Sequence, residues 1–502
     1  MNYRRISLAV IVATMIGGVM LQELDIKNNR YHQHMAAKEK TVCTEHEADV
    51  FCTHLPLMHI SLENAMPEPY LTGEDGSYMI GENELYLKNN TVTTARIKYF
   101  DAEKTNNHLT DTPEVSSMAE IRIRGNLSRD FDKKGYAIEF KEDDLITNKS
   151  VSLSGMTEDS DWVLHGPFMD KTLIRNYLCY NIAGEIMDYA PNVRFCEVFI
   201  DEEYMGVYLL VEDIKYNQNG RIVLEKSDPK MNETSYIIQA DRGADDEGKA
   251  LETFGMYSYI LSNPSRERGR MEVVYPSLTL TEEQKTYIEA DFSRFEKALL
   301  SFDYNKRDIG YRKYIDVDSF AEYFLINEFT LNYDAVGLST YLYKDLGGKL
   351  HFCVWDFNSA FDNYINSVTS PHTFALQKKM WYAYLMKDEY FVDAVTKKYK
   401  KMRREVINEE YLLQYVDDTV EYLGPAIERN YEKWGYSFGE EKDLLVPATR
   451  NPRTYEEAVE QLKTCISERI AYMDENIDRL YLLGHESLNK KFNHDDTTGG
   501  GF

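Results

Sequence analysis

The hydrophobic rhythm of the chain changes several times along its length. An uncharged apolar run at 6–21 follows Arg4 and Arg5, and a polar, charged stretch follows at 22–53. From Leu55 the pattern alternates with a period of two, in LPLMHISLE (55–63), SYMIGENELYLKN (77–89) and TVTTARIKYFDAE (91–103). Such alternation, punctuated by Gly and Asn, predicts a small β-module feeding a sheet. MAEIRIRGN (118–126) and GYAIEF (135–140) predict two more strands, and Trp162-Val163-Leu164 a short buried one. Asp170 is placed to cap a helix from Lys171 that buries Leu173, Leu178, Ile182 and Ile186. VRFCEVFID (193–201) turns through Glu202 and Glu203 into YMGVYLLVEDI (204–214), with GRIVLEK (220–226) and SYIIQA (235–240) as further strands. From 281 the period lengthens. Thr281-Glu282-Glu283 opens a helix to about Leu300, Asp316 opens another, and helices are predicted over 386–407, 409–434 and 453–483.

The stretch 332–363 carries the densest chemistry. Residues 340–343 and 350–355 are β-rich, and Asp345-Leu346-Gly347-Gly348 between them is turn sequence. A hairpin turning at Leu346-Gly347 brings Asp334, before the first strand, near Asp356, after the second. Asn358, Asp362 and Asn363 follow at once. Two carboxylates and several amides at one hairpin end suit Mg²⁺, with one Asp accepting a proton while the other holds metal over phosphates. The same residue types also mark ordinary turns at strand ends.

Composition narrows the setting. The 502 residues are 43% hydrophobic, enough for a large core. Asp and Glu number 84 against 57 Lys and Arg, a net charge of −27. That balance excludes a general nucleic-acid binder, and it means that any nucleotide site needs a local basic cluster. The basic loop NPSRERGRM (263–271), with Arg266, Arg268 and Arg270, is an exception that could face an acidic substrate. The run at 6–21 is near the ~20 residues of a membrane span and lacks a small-residue cleavage site. The expectation is a signal anchor over 1–25 with the rest of the chain outside the cytoplasm, and a cleaved signal peptide is the alternative. A stalk follows at 26–54. Of six cysteines, Cys43 and Cys52 are spaced to close a small loop, whereas Cys179 and Cys353 read as buried hydrophobes. The polar tail 486–502 is expected to be disordered.

The hairpin segment, taken with IRIRGNLSRDFDKKGYAIEF (121–140), DSDWVLHGPFMDKTLIRNYLCYNIAGEI (159–186) and VFIDEEYMGVYLLVEDI (198–214), resembles the CotH (spore coat protein H) kinase family over residues 55–365. The resemblance implies an α+β, two-lobed, atypical protein-kinase-like fold, β-rich at the N-terminus and helical at the C-terminus. The kinase domain would span 113–485, preceded by a β-rich module at 55–112. It implies an extracytoplasmic kinase that moves the γ-phosphoryl of ATP to Ser or Thr hydroxyls of a protein, with ATP and Mg²⁺ as cofactors. The acceptor would be an envelope or spore-coat protein. Gly125, Asn126, Ser128 and Lys133 would line the phosphates, with Lys134 as rival to Lys133. A Gly turn exposing backbone N–H groups beside a Lys fits that task, and Arg124 or Arg129 could add bidentate contacts. Glu212 could pair with the phosphate Lys, Asp334 would act on the acceptor hydroxyl, and Asp356 would hold Mg²⁺. Ser339 stands where many relatives have a metal-binding Asn, and Asn358 where many have Asp. These departures weaken the metal set. They keep two alternatives open: transfer of AMP or an amino acid, and a binding or structural protein of the envelope or spore surface.

Overall fold

Seven strands of the N-terminal part close into a barrel: β1 (Leu57–Leu62), β2 (Val92–Phe100), β3 (Val115–Arg124), β4 (Gly135–Lys141), β5 (Asp161–His165), β6 (Val193–Ile200) and β7 (Glu203–Glu212). The computed structural model describes residues 30–37, 50–67, 92–125, 127–217, 221–241, 248–257, 270–365 and 367–484. The order is β1-β2-β3-β4-β5-β7-β6, and β1 closes it by lying parallel to β6, with Leu57 opposite Glu197 and Ile60 opposite Ile200. Ile60, Ile97, Ile121, Ile138, Trp162 and Tyr208 fill the interior. On β2 only one face is covered, so Ala95, Ile97 and Tyr99 alternate with Arg96 and Lys98. On β7 both faces are covered. Tyr208 and Leu210 point inward, while Val207, Leu209 and Val211 join the core outside the barrel. A strand buried on both faces reads as a continuous apolar run.

The second sheet is four-stranded and antiparallel, in the order β11-β10-β8-β9, from β8 (Tyr236–Asp241), β9 (Arg270–Tyr275), β10 (Thr340–Lys344) and β11 (Leu350–Cys353). Leu342, Ile238 and Phe352 lie on its inner face, and Phe352 stacks on Tyr323 with ring centroids 4.0 Å apart. Helices cover that face and extend to the C-terminus: α1 (Arg175–Ile186), α2 (Glu282–Leu300), α3 (Val317–Phe329), α4 (Glu389–Met402), α5 (Glu409–Leu423), α6 (Pro425–Trp434) and α7 (Tyr455–Asn476). Thr281 and Gln284 form a capping box on α2, and the Asp316 carboxylate caps α3 at Ser319 N. The architecture is therefore α+β, with a β-rich N-terminal part and a helical C-terminal region.

Several elements depart from the pattern in the sequence. The helix predicted from Lys171 starts at Arg175. Asp170 instead accepts bonds from Thr172 N, Thr172 Oγ1 and Arg175 N, a tight loop in which Leu173 has φ 66°. The predicted strand GRIVLEK is irregular from 221 onward. Gly424, at φ 44°, and Pro425 split the helix expected at 409–434 into α5 and α6. β1 and β2 are staves of the same barrel as β3 to β7. Part of the expected stalk is packed. The Gln33 amide exchanges two hydrogen bonds with the Phe195 backbone, and Arg30 donates to Asn181 Oδ1 and to the Ala190 carbonyl. His32 reaches Glu185 at 2.9 Å and Tyr415 at 3.0 Å. Cys52 is a free thiol, and Cys43, its expected partner in a small loop, lies outside the described residues. The expected anchor, the strand at 77–89, Asn126, Arg266, Arg268 and the tail lie outside the described residues. Among the described residues no helix is long and apolar enough to cross a membrane.

Candidate active site

The hairpin forms as its sequence predicts. Tyr341 pairs with Cys353 and Lys344 with Leu350, and Gly348 N donates to Asp345 O across a turn in which Gly347 adopts φ 71°. Continuing the registers places Ser339 opposite Asp241, one step beyond the last β8–β10 pair, and opposite Trp355, two steps beyond the last β10–β11 pair. The chain before β10 folds back on itself, with the Asp334 carbonyl accepting from Leu338 N at 2.9 Å. Asn332 Nδ2 donates to the Asp356 carbonyl at 3.2 Å and so ties the incoming loop to the outgoing one.

Asp356 is half-buried and strained, with φ 54°. Its N–H donates to the Tyr180 hydroxyl at 3.0 Å, and its carboxylate accepts from Asn358 N at 3.3 Å. Burial and the neighbouring Asp334 charge push its carboxyl up to about 6, although Arg124 pulls the other way. Asp241 adds to the upward push. Asp334 and Asp356 are thus close enough to feel each other, as the hairpin argument required.

The turn after β3 is built on Gly125. At φ +106° it occupies a region that disfavours side chains, and a Cβ there would lie 1.9 Å from Ser128 Oγ. Arg129 Nε donates to the Gly125 carbonyl, and Lys134 Nζ to the Arg129 carbonyl at 2.7 Å. Lys133 does not reach the carboxylates. It is 1% exposed, and its ammonium is spent on the Val207 carbonyl at 2.6 Å and Asn430 Oδ1 at 2.7 Å. Burial holds that amine well below its ordinary range. Glu212 does not pair with Lys133 either. It is fully buried, accepts from Asn192 N at 2.9 Å and Thr157 N at 3.3 Å, and faces Arg221 at 3.7 Å. Arg124 is the basic group that meets the hairpin: its guanidinium lies 5.4 Å from the Trp355 ring centre, and no carboxylate pairs with it among the described residues.

Helix α1 holds the far side of the loop. Asn176 Oδ1 accepts from Phe357 N at 2.9 Å, and its Nδ2 donates to Asn358 Oδ1 at 2.7 Å and His165 Nε2 at 3.1 Å. The Asn358 oxygen is therefore already engaged. Asn363 Nδ2 donates to the Asn358 carbonyl at 2.8 Å. Arg175, paired with Asp170 at 2.6 Å, donates to the Ala360 carbonyl at 3.0 Å.

With this geometry in view, the comparisons are decisive for family. Residues 121–473 match the family of CotH kinase proteins. The chain belongs to the CotH kinase family. It is also 23% identical over 321 residues to the inner spore coat protein H of Bacillus subtilis (strain 168), across 62% of this chain and 76% of that protein. The CotH match begins inside β3, so β1 and β2 complete the barrel from outside the matched range.

Among the described residues no group of three or more His, Cys, Asp or Glu side chains is placed to hold a metal by itself. Mg²⁺ bound together with nucleotide needs less, one or two carboxylates plus phosphate oxygens and water. Asp334 and Asp356, whose mutual repulsion a cation would relieve, fit that requirement. Sequence reasoning missed Tyr180, Asp241 and His165 as members of this region. The register of β8 against β10 places Asp241 here, and only the fold brings Tyr180 and His165 to the same place.

Proposed function

We propose that this CotH-family chain is a Mg²⁺-dependent kinase with an atypical, two-lobed kinase-like organisation. It would act outside the cytoplasm and transfer the γ-phosphoryl of ATP to a Ser or Thr hydroxyl of a protein. The observation that carries the reading is the Asp334–Asp356 pair at the mouth of the β10–β11 hairpin, with Arg124, which has no carboxylate partner among the described residues, over Trp355 beside it. Asp334 takes the proton of the acceptor hydroxyl as its oxygen bonds to the γ-phosphorus. The bond to the β,γ-bridging oxygen breaks, and ADP leaves. Asp356, with Asp334 beside it, would hold Mg²⁺, which supplies charge neutralisation on the phosphates when bound. Arg124 contacts phosphate oxygens, and the Gly125 turn lets backbone approach them closely. Ser339 and Asn358 are the weaker members of the metal set. One is a neutral hydroxyl, and the other has its oxygen held by Asn176.

Incubation with ATP and Mg²⁺, followed by mass spectrometry of the chain and of cell-surface proteins, tests this directly. A phosphoryl adduct that is lost in Asp334→Asn supports the kinase. An adenylyl or aminoacyl adduct would keep the site and change the group moved. A second reading, a structural or binding protein of the spore surface, is favoured by the name of the Bacillus relative and by the burial of Lys133. No adduct on any protein would favour it.

A further inference from the structure

We infer that His165 is a further phosphate-binding residue of this site, presenting a neutral Nδ1–H to the nucleotide beside Arg124; the inference rests on the kinase reading above.

The barrel wall sets the placement. Arg124 pairs with Gly135 across β3 and β4. Tyr136 pairs with Leu164 across β4 and β5, so the next step places His165 opposite Gly135. Residues directly opposite one another project on the same face of a sheet. Tyr136 and Leu164 face the barrel interior, so Arg124, Gly135 and His165 face outward. Two strand spacings separate Arg124 from His165, roughly 10 Å between Cα atoms. Gly135 puts no side chain between them. A Cβ there would lie 3.3 Å from the Leu164 carbonyl and 3.9 Å from Arg124 Cγ. The three strand ends thus make a notch with a guanidinium on one side and an imidazole on the other.

Hydrogen bonding then decides which ring nitrogen carries the proton. Phe357 N–H can only donate, so the Asn176 atom 2.9 Å away is the amide oxygen. The other amide atom is the nitrogen, and it donates to His165 Nε2 at 3.1 Å. A neutral ring that accepts at Nε2 carries its hydrogen on Nδ1. Burial and the Arg124 charge lower this imidazole to about 4, which keeps it neutral at ordinary pH. His165 is half-buried, and Nδ1 has no partner among the described residues. A fixed N–H donor beside a guanidinium with no carboxylate partner among the described residues is chemistry for an anionic oxygen. Asn176 also holds the Asp356–Asn358 loop, so one amide orients both the donor and the carboxylate side.

The test is the affinity of the full chain for ATP with Mg²⁺, measured for wild type, His165→Ala and His165→Asn. The Asn amide can offer N–H close to the position of Nδ1. Loss of one hydrogen bond to a charged group predicts about tenfold weaker ATP binding for His165→Ala. His165→Asn should stay within about threefold of wild type. Equal affinity of His165→Ala and wild type would overturn the inference, as would equal losses in both variants, which would mark His165 as packing only. Absence of ATP binding by the wild type would instead remove the kinase reading, and the inference with it.

Discussion

The carboxyl of Asp356 sits where the fold disfavours a negative charge. It is half-buried, beside Asp334, on a backbone with φ 54°. A carboxyl raised to about 6 from an ordinary value near 4 is protonated more readily in the folded than in the unfolded chain. Stability therefore falls as pH rises through that window, and above it the ionised group costs about 1–3 kcal/mol. Asp356→Asn, in the absence of Mg²⁺, should raise the unfolding free energy at pH 7.5 by that order, measured by denaturant titration. Lys133 makes the opposite case. Its ammonium holds Val207 and Asn430 inside the protein. Lys133→Ala should cost about 2–4 kcal/mol of stability and leave ATP affinity within about twofold. A large loss of ATP affinity at unchanged stability would return Lys133 to the phosphates. Lys133 could not be placed from its sequence, because DFDKKGYAIEF is equally a solvated basic turn and a phosphate loop. Its destination depends on Asn430, almost 300 positions away.

At the scale of elements, local signals were legible and distant contacts were not. Turn residues at 345–348 and β-rich flanks define the β10–β11 hairpin without outside help, and with it the approach of Asp334 to Asp356. The caps at Thr281 and Asp316 were equally plain. The segment 30–37 reads as polar linker because its partners, Phe195, Tyr177, Glu185 and Tyr415, lie far along the chain. Within it His34 is buried, with Nδ1 2.8 Å from the Tyr177 hydroxyl and Nε2 without a partner. Burial and the nearby His32 hold the ring down at about 4, and Asp418 opposes them. The unfolded chain takes up that proton near 6.5, so between these values it binds more protons than the folded one. The stabilisation is complete above pH 6.5 and is lost as pH falls towards 4, by up to ~3 kcal/mol. The pH dependence of stability in this window should flatten in His34→Gln, as followed by urea unfolding at several pH values. An unchanged profile would place the protonation elsewhere.

For the whole molecule, barrel closure defines what can fold. Strand pairing between β1 and β6 joins residues about 140 positions apart, and no alternation of apolar residues announces it. The sequence expectation of a domain at 113–485, like the CotH match at 121–473, omits β1 and β2. A fragment starting at residue 113 would leave β3 and β6 with open edges and the interior exposed at Ile121 and Val198. It should be insoluble or lack a cooperative unfolding transition by circular dichroism, whereas the full chain melts cooperatively. The net charge of −27 acts at the same scale: it opposes any nucleotide, so the proposed function places ATP where Arg124, over the Trp355 ring, acts on the Asp356 carboxyl. The most direct measurement of that claim is the melting temperature of the full chain with ATP, with and without Mg²⁺, beside Asp356→Asn. The account predicts a Mg²⁺-dependent rise in the wild type, as expected for binding to the folded state, and no rise in the variant. An unchanged melting temperature in the wild type with both ATP and Mg²⁺ present, or an equal rise in the variant, would contradict it.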